Sequence, residues 1–294
     1  MTSQTYARYD VATALGQGMR EIQEDAVVTD FPAGMDVGFV VLADGMGGHA
    51  AGEIASLILV TEVFAELKFK LADLKKHEEH IPAILKNAAM TSNACIRDYV
   101  SENPGNYGMG ATLVAPLLIE DRLYWISVGD SPLYLQRGGK IRQLNEDHSM
   151  APEIDGMVSS GLLSPEEALD HPDRNCLRSV LLGDSVAKID CPQDPLQVEE
   201  GDIILVASDG LQSLRDSEIS TVLRENEERS ATEIAFALLK TVNALKDPDQ
   251  DNISISIIKV NRSQAASMIV PQYRSRRAAG AMSQTRLLSF YGKN

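Results

Sequence analysis

Cysteine is scarce in this chain: three in 294 residues, widely spaced and with no CxxC pair. A scattered, odd-numbered set supports neither a disulfide framework nor a cysteine-ligated zinc site, and fits reduced thiols in a cytoplasmic protein. Long uncharged apolar runs are missing too. The most apolar helical stretch, Ile54 to Leu71, is interrupted by Glu62, Glu66, Lys68 and Lys70, so it reads as a core helix, with no transmembrane segment expected. The opening residues, MTSQTYARYD, have no apolar core of the kind a secretory signal needs. Positive charge is in deficit. Lys and Arg number 27 against 42 Asp and Glu, a net charge of -15 that repels a nucleic-acid duplex and argues against nucleic acid as a partner. The basic charge that exists is unevenly placed. Residues 261–294 hold six basic residues and no acidic ones, and removing those six positive charges leaves -21 on residues 1–260.

What is present is a core-forming chain, 44% hydrophobic. Tyr9–Ala14, Ala26–Thr29 and the apolar run VGFVVLA (37–43) predict strands, the last ending at the turn DGMGG. From Ala50 the period becomes helical, with Ile54, Leu57, Ile58, Thr61, Phe64 and Ala65 on one face, and a second helix is predicted from about Pro82 to Val100. Residues 111–144 predict a meander of antiparallel strands joined by hairpin turns. Residues 147–184 read as a flap-like excursion. Further strands at Ile203–Ala207 and Ile253–Val260 enclose two helices, near Asp216–Arg224 and Ala231–Lys246. The simplest assembly is an α/β fold: a four-layer αββα sandwich of two antiparallel sheets flanked by helix pairs, over residues 1–260. Residues 261–294 then form a basic, flexible tail.

Three aspartates fall where apolar strands meet turns: Asp44 after FVVLA, Asp209 after IILVAS and Asp251 before NISISII. One such aspartate caps a turn and needs no function. Three, with Glu24 and Asp25 ahead of a fourth strand, form the oxygen-rich, carboxylate-dense set that hard divalent cations require. Other chemistries fit less well. GMGGHAAGE lacks the Lys-Ser/Thr of a phosphate-binding P-loop, no cysteine sits in a CxxxxxR loop, and HEEH (77–80) reads as solvated surface.

The segments GMREIQEDAVV, VLADGMGGHAAGE, GATLV, VGDS, LNEDHS, HPDRNCLRSVLLG, ASDGL and DNISI resemble, in order, the motifs of the PPM (type 2C) protein phosphatases of bacterial type, from about Ala7 to Val260. The resemblance implies a phosphoserine/phosphothreonine phosphatase in which two Mn²⁺ or Mg²⁺ ions activate water. On the matching residues, it implies that Asp44 bridges both ions and the Gly45 carbonyl joins one. Asp209 and Asp251 complete one ion's set, Glu24 holds waters of the other, Asp25 steadies the cluster, and Arg20 grips the substrate phosphate. It also implies phosphorylated proteins as substrates, a cognate Ser/Thr kinase as opponent, and a monomer. Three departures stand out, the first being Pro132, where members commonly carry Arg after VGDS. Met46 occupies the place of a histidine in eukaryotic members, which leaves the leaving-group acid unassigned, with His49 a weak alternative. Ser213 stands where many members carry an aspartate, so a third ion beside Asp130 is expected to bind weakly. A binding pseudophosphatase is the rival from another class.

Overall fold

The computed structural model describes residues 8–33, 35–47 and 51–261, which fall within one compact unit spanning residues 1–263. The basic tail, from residue 262 on, and His49 lie outside the described residues. Strands β1 (Tyr9–Gly16), β2 (Asp25–Asp30) and β3 (Val37–Met46) precede two long helices, α1 (Ala51–Leu74) and α2 (Ile81–Glu102). Five strands follow: β4 (Gly110–Ala111), β5 (Leu113–Ile119), β6 (Arg122–Val128), β7 (Leu133–Arg137) and β8 (Lys140–Gln143). The excursion carries α3 (Ala151–Ser159) and α4 (Pro165–Leu169). Then come β9 (Leu196–Gln197), β10 (Ile203–Ala207), α5 (Asp216–Glu225), α6 (Ala231–Leu245) and β11 (Ile253–Val260).

Every pairing is antiparallel. One sheet runs β1-β11-β10-β7-β8, the other β2-β3-β5-β6-β9 with β4 beside β3. Alternation along each central strand feeds two different cores, because successive side chains leave opposite faces. In β3, Val37, Phe39, Val41 and Ala43 pack under α1 and α2, while Val40 and Leu42 face the other sheet. In β10, Ile203, Leu205 and Ala207 pack under α5 and α6, while Ile204 and Val206 meet Leu42 and Val114 between the sheets. Three separate cores therefore define four layers, the sandwich expected from the sequence.

Two local expectations change. The stretch 111–144 is not one meander: β5 and β6 belong to one sheet, β7 and β8 to the other, and Gly129–Pro132 crosses between them. Gly129 turns the chain there at φ +104°, a conformation few side chains tolerate. In α1, the fully buried line is Ala55, Leu59, Val63 and Leu67, whereas Leu57 is 59% exposed. The helix is apolar around much of its circumference, so spacing alone left its inward face open to a shift of a third of a turn.

Candidate metal centre

The ends of β2, β3, β10 and β11 converge on one rim of the sandwich. Asp25 and Asp44 are direct cross-strand partners in β2 and β3, and β3 continues to Met46, so Asp44 lies inside a strand instead of just beyond one. Gly45 pairs with Ala111 of β4, and its N–H donates to the Glu24 carbonyl at 3.1 Å. A Cβ on Gly45 would collide with the Gly52 and Glu24 carbonyl oxygens, so this close approach admits only glycine. Asp209 opens the short turn after β10, and Asp251 precedes β11. All of Glu24, Asp44, Gly45, Asp130, Asp209 and Asp251 line one cavity of about 630 Å³, and Arg20 is its one basic side chain among the described residues.

This is a crowd of like charges. Burial, then the charges of Asp209, Asp25 and Asp130, hold the Asp44 carboxyl well above the usual carboxylate range. Asp209 lies within hydrogen-bond reach of Asp44 and is also raised, first by burial and then by Asp251. Burial pushes Asp25 up to about 6 against a hydrogen bond from Ser208 Oγ at 2.7 Å. Asp130, 7% exposed, is raised to about 7 by burial, then by Asp209 and Asp147. Glu24 is raised chiefly by burial, and a hydrogen bond from the Gly52 N–H, in the first turn of α1, opposes the shift. Arg20 Nη2 pairs with Asp251 Oδ2 at 2.5 Å, with both side chains well exposed.

Divalent cations fit this set. Its donors are all oxygen, and one buried oxygen, Asp25 Oδ1, has no hydrogen-bond partner among the described residues. A single arginine cannot offset so many carboxylates.

Sequence reasoning missed the scaffold beneath the acids. Thr112 holds Asp44 by its backbone on both sides: the Thr112 N–H donates to the Asp44 carbonyl at 2.9 Å, and the Asp44 N–H donates to Thr112 Oγ1 at 3.1 Å. Thr112 Oγ1 also bonds Ser131 Oγ at 2.7 Å, and Asn145 Nδ2 donates to the Ser131 carbonyl at 3.0 Å. His148 accepts from the Gly129 N–H through Nδ1 at 3.2 Å and returns its own N–H to the Gly129 carbonyl at 3.1 Å. The phrases GATLV and LNEDHS thus clamp the crossing loop that carries Asp130. Asn252 does the same for the Arg20 loop, accepting from the Glu24 N–H at 2.7 Å and donating to the Gln17 carbonyl at 2.8 Å. Gly18, at φ +62°, sits where a Cβ would strike the Gln250 and Asp251 backbone. No periodicity signals such pairs, but short polar residues within apolar runs, as Thr112 between β4 and β5 and Ser254 in β11, mark where to look. Elsewhere, His77, Glu79 and His80 bring donor atoms within 4.8 Å of one another, all exposed.

Two stacked antiparallel sheets flanked by helices, with a carboxylate cluster fitted to divalent cations at their rim, define a metal-dependent phosphatase. The protein phosphatase 2C family model matches residues 18–246, and the chain belongs to that family. A serine/threonine phosphatase, stp, from Listeria welshimeri is 32% identical over 226 residues, covering 76% of this chain and 85% of that protein. The serine/threonine protein phosphatase PstP of Mycobacterium tuberculosis is 33% identical over 226 residues, covering 75% of this chain and 40% of that longer protein. The crystal structure of PstP/Ppp from the same organism superposes with a TM-score of 0.69 at 31% identity, covering 86% of this chain and 99% of the other. A structure of the PstP catalytic domain in complex with two manganese ions gives a TM-score of 0.66 at 30% identity, covering 86% of this chain and 99% of that one.

Proposed function

We propose that this chain hydrolyses phosphoserine and phosphothreonine in proteins with two bound Mn²⁺ or Mg²⁺ ions, and that it opposes a Ser/Thr kinase in the cytoplasm as a monomer. The observation that carries the reading is the convergence of Asp44, Asp209 and Asp251 on one cavity, where burial and then neighbouring carboxylates hold Asp44 and Asp209 above the usual carboxylate range. Asp44 would hold both ions, and the Gly45 carbonyl would contribute to one of them. Asp209 and Asp251 would complete one set, Glu24 would serve the other, and Asp25 would support the group. When bound, the pair of ions lowers the pKa of a water and neutralises phosphoryl oxygens. Arg20 orients the phosphate with its forked donors; the guanidinium now on Asp251 is already at the rim of the site. The manganese-bound PstP relative and the family match support the choice of metal and reaction. Three free cysteines agree with a reducing compartment, and no described helix is long and apolar enough to cross a membrane. Mn²⁺-dependent phosphate release from a phosphothreonine peptide tests this function. Tight peptide binding with no release would favour the pseudophosphatase.

Arg20→Ala is expected to raise KM for a phosphopeptide by about tenfold, with a smaller fall in kcat, because the guanidinium holds phosphate in both ground and transition states. Lysine should rescue poorly, since it cannot fork. Steady-state kinetics decide, and an unchanged KM makes Arg20 an ordinary surface arginine.

The third-ion site beside Asp130 should be weak, because Ser213 is committed elsewhere. Its Oγ donates to the Gly210 carbonyl at 3.0 Å and Gln250 Oε1 at 2.9 Å. Ser213→Asp is expected to tighten a third Mn²⁺ on the order of tenfold in calorimetric titration. It should also lower the melting temperature by a few degrees, since the new carboxylate faces the Gln250 oxygen. An isotherm indistinguishable from wild type contradicts this.

A further inference from the structure

Thr112 is the single residue between β4 and β5, and it interrupts the strand pairing beside Asp44. β3 pairs Gly45 with Ala111 and Leu42 with Val114, a register that sets Thr112 opposite Asp44. Opposed residues in an antiparallel ladder exchange two backbone bonds or none. Here one is kept and the other is replaced. The Thr112 N–H donates to the Asp44 carbonyl at 2.9 Å, but the Asp44 N–H donates to Thr112 Oγ1 at 3.1 Å in place of a backbone carbonyl. A side-chain hydroxyl thus completes the ladder at the residue proposed to hold both ions.

This exchange ties the aim of Asp44 to one side chain. The peptide groups on either side of its Cα are fixed by three bonds: the Asp44 N–H to Oγ1, the Thr112 N–H to the Asp44 carbonyl, and the Gly45 N–H to the Glu24 carbonyl at 3.1 Å. Of the three, only the first depends on a side chain. That hydroxyl is itself held. Thr112 is 3% exposed and lines the metal cavity, and its Oγ1 lies 2.7 Å from Ser131 Oγ, in a residue 1% exposed. Because Oγ1 already accepts from Asp44, its own proton is available to Ser131. The methyl branch has a separate duty, packing over Gly129, where an added Cβ would come within 2.6 Å of Thr112 Cγ2. Hydroxyl and methyl therefore do different work and can be removed one at a time.

We infer that Thr112 is a positioning residue of the metal centre: its hydroxyl fixes the backbone of Asp44, and with it the carboxylate and the Gly45 carbonyl, in the arrangement that receives divalent cations. This rests on the phosphatase reading above and adds a residue to its metal centre. Groups that orient a metal ligand through hydrogen bonds carry about ten- to a hundredfold in affinity or activity, since a ligand left free to turn must be ordered by the ion itself. Thr112 belongs at the lower end of that range, because its backbone bond to Asp44 survives any change of side chain.

Thr112→Val and Thr112→Ser divide the two branches. Valine keeps the branched shape over Gly129 and leaves the Asp44 N–H without its acceptor; serine keeps the hydroxyl and loses the methyl. Calorimetric titration of Mn²⁺ into the metal-free full chain is expected to show about tenfold weaker binding in T112V, and binding within about twofold of wild type in T112S. At saturating Mn²⁺, kcat for a phosphothreonine peptide should fall about tenfold in T112V with KM nearly unchanged, because Arg20 still meets the phosphate. A packing role alone predicts the reverse order, with T112S the damaged variant and T112V close to wild type. That order, or wild-type Mn²⁺ affinity in T112V, overturns the inference. Should T112V not fold, S131A decides: it removes the partner that orients the hydroxyl and is expected to weaken Mn²⁺ binding about threefold, and an unchanged affinity overturns the inference. Mn²⁺ binding by wild type without phosphate release from the peptide removes the phosphatase reading, and the affinity comparison still decides the role of Thr112.

Discussion

Asp44→Asn is expected to lower phosphopeptide turnover by roughly a thousandfold or more at saturating Mn²⁺, because the residue proposed to hold both ions loses its charge. The same change should not unfold the protein. Asp44 spends its backbone on Thr112 and on the pairing with Asp25, and those contacts survive. Without metal the variant should in fact be the more stable of the two, since the carboxyl it loses is opposed as an anion by burial and then by Asp209, Asp25 and Asp130. Kinetics and thermal melting on the same preparation separate the outcomes. Retention of more than about a tenth of wild-type turnover contradicts the two-ion assignment. A drop in the metal-free melting temperature contradicts the repulsion argument.

The second large effect is an inverted pH dependence of stability in the metal-free protein. Asp25 and Asp130 have folded-state pKa values of about 6 and about 7, both raised mainly by burial, against an unfolded value near the ordinary 3.8. Between those limits the folded state binds more protons than the unfolded one, so stability falls as pH rises from about 4 to about 7. Asp44 and Asp209, shifted in the same direction, add to the effect. Coupling among the four prevents simple addition, and the net loss should be on the order of 2–5 kcal/mol, or several degrees of melting temperature. Mn²⁺ should reverse the sign, because ions bind the deprotonated cluster and stabilise the fold by mass action, most strongly at higher pH. Melting curves in EDTA and in Mn²⁺ at pH 5.5 and 7.5 give the comparison. A metal-free protein more stable at pH 7.5 would show that the carboxylates are not crowded as described.

How much of this was legible in the sequence depends on whether a feature is local. Asp209 and Asp251 stand at strand–turn junctions that apolar runs and small turn residues announce. The helix pairs follow from the apolar spacing along 54–65, 82–100 and 231–246. The crossing at Gly129–Pro132 was not legible, because consecutive strands with short links look alike whether they pair with each other or with strands far along the chain. Here β7 pairs with β10, and nothing within 129–137 encodes that partner. The clamps made by Thr112, Ser131, Asn145 and His148 were hidden for the same reason: each joins segments that only the fold brings together.

The central claim is that phosphate release requires two cations held by this cluster. Its most direct measurement titrates Mn²⁺ into metal-free wild-type protein, recording ion occupancy by calorimetry and phosphothreonine-peptide hydrolysis on the same samples. The account requires no release in EDTA, and release that rises with filling of the second ion per chain. Full turnover in EDTA, or turnover already complete with one ion per chain, would contradict it.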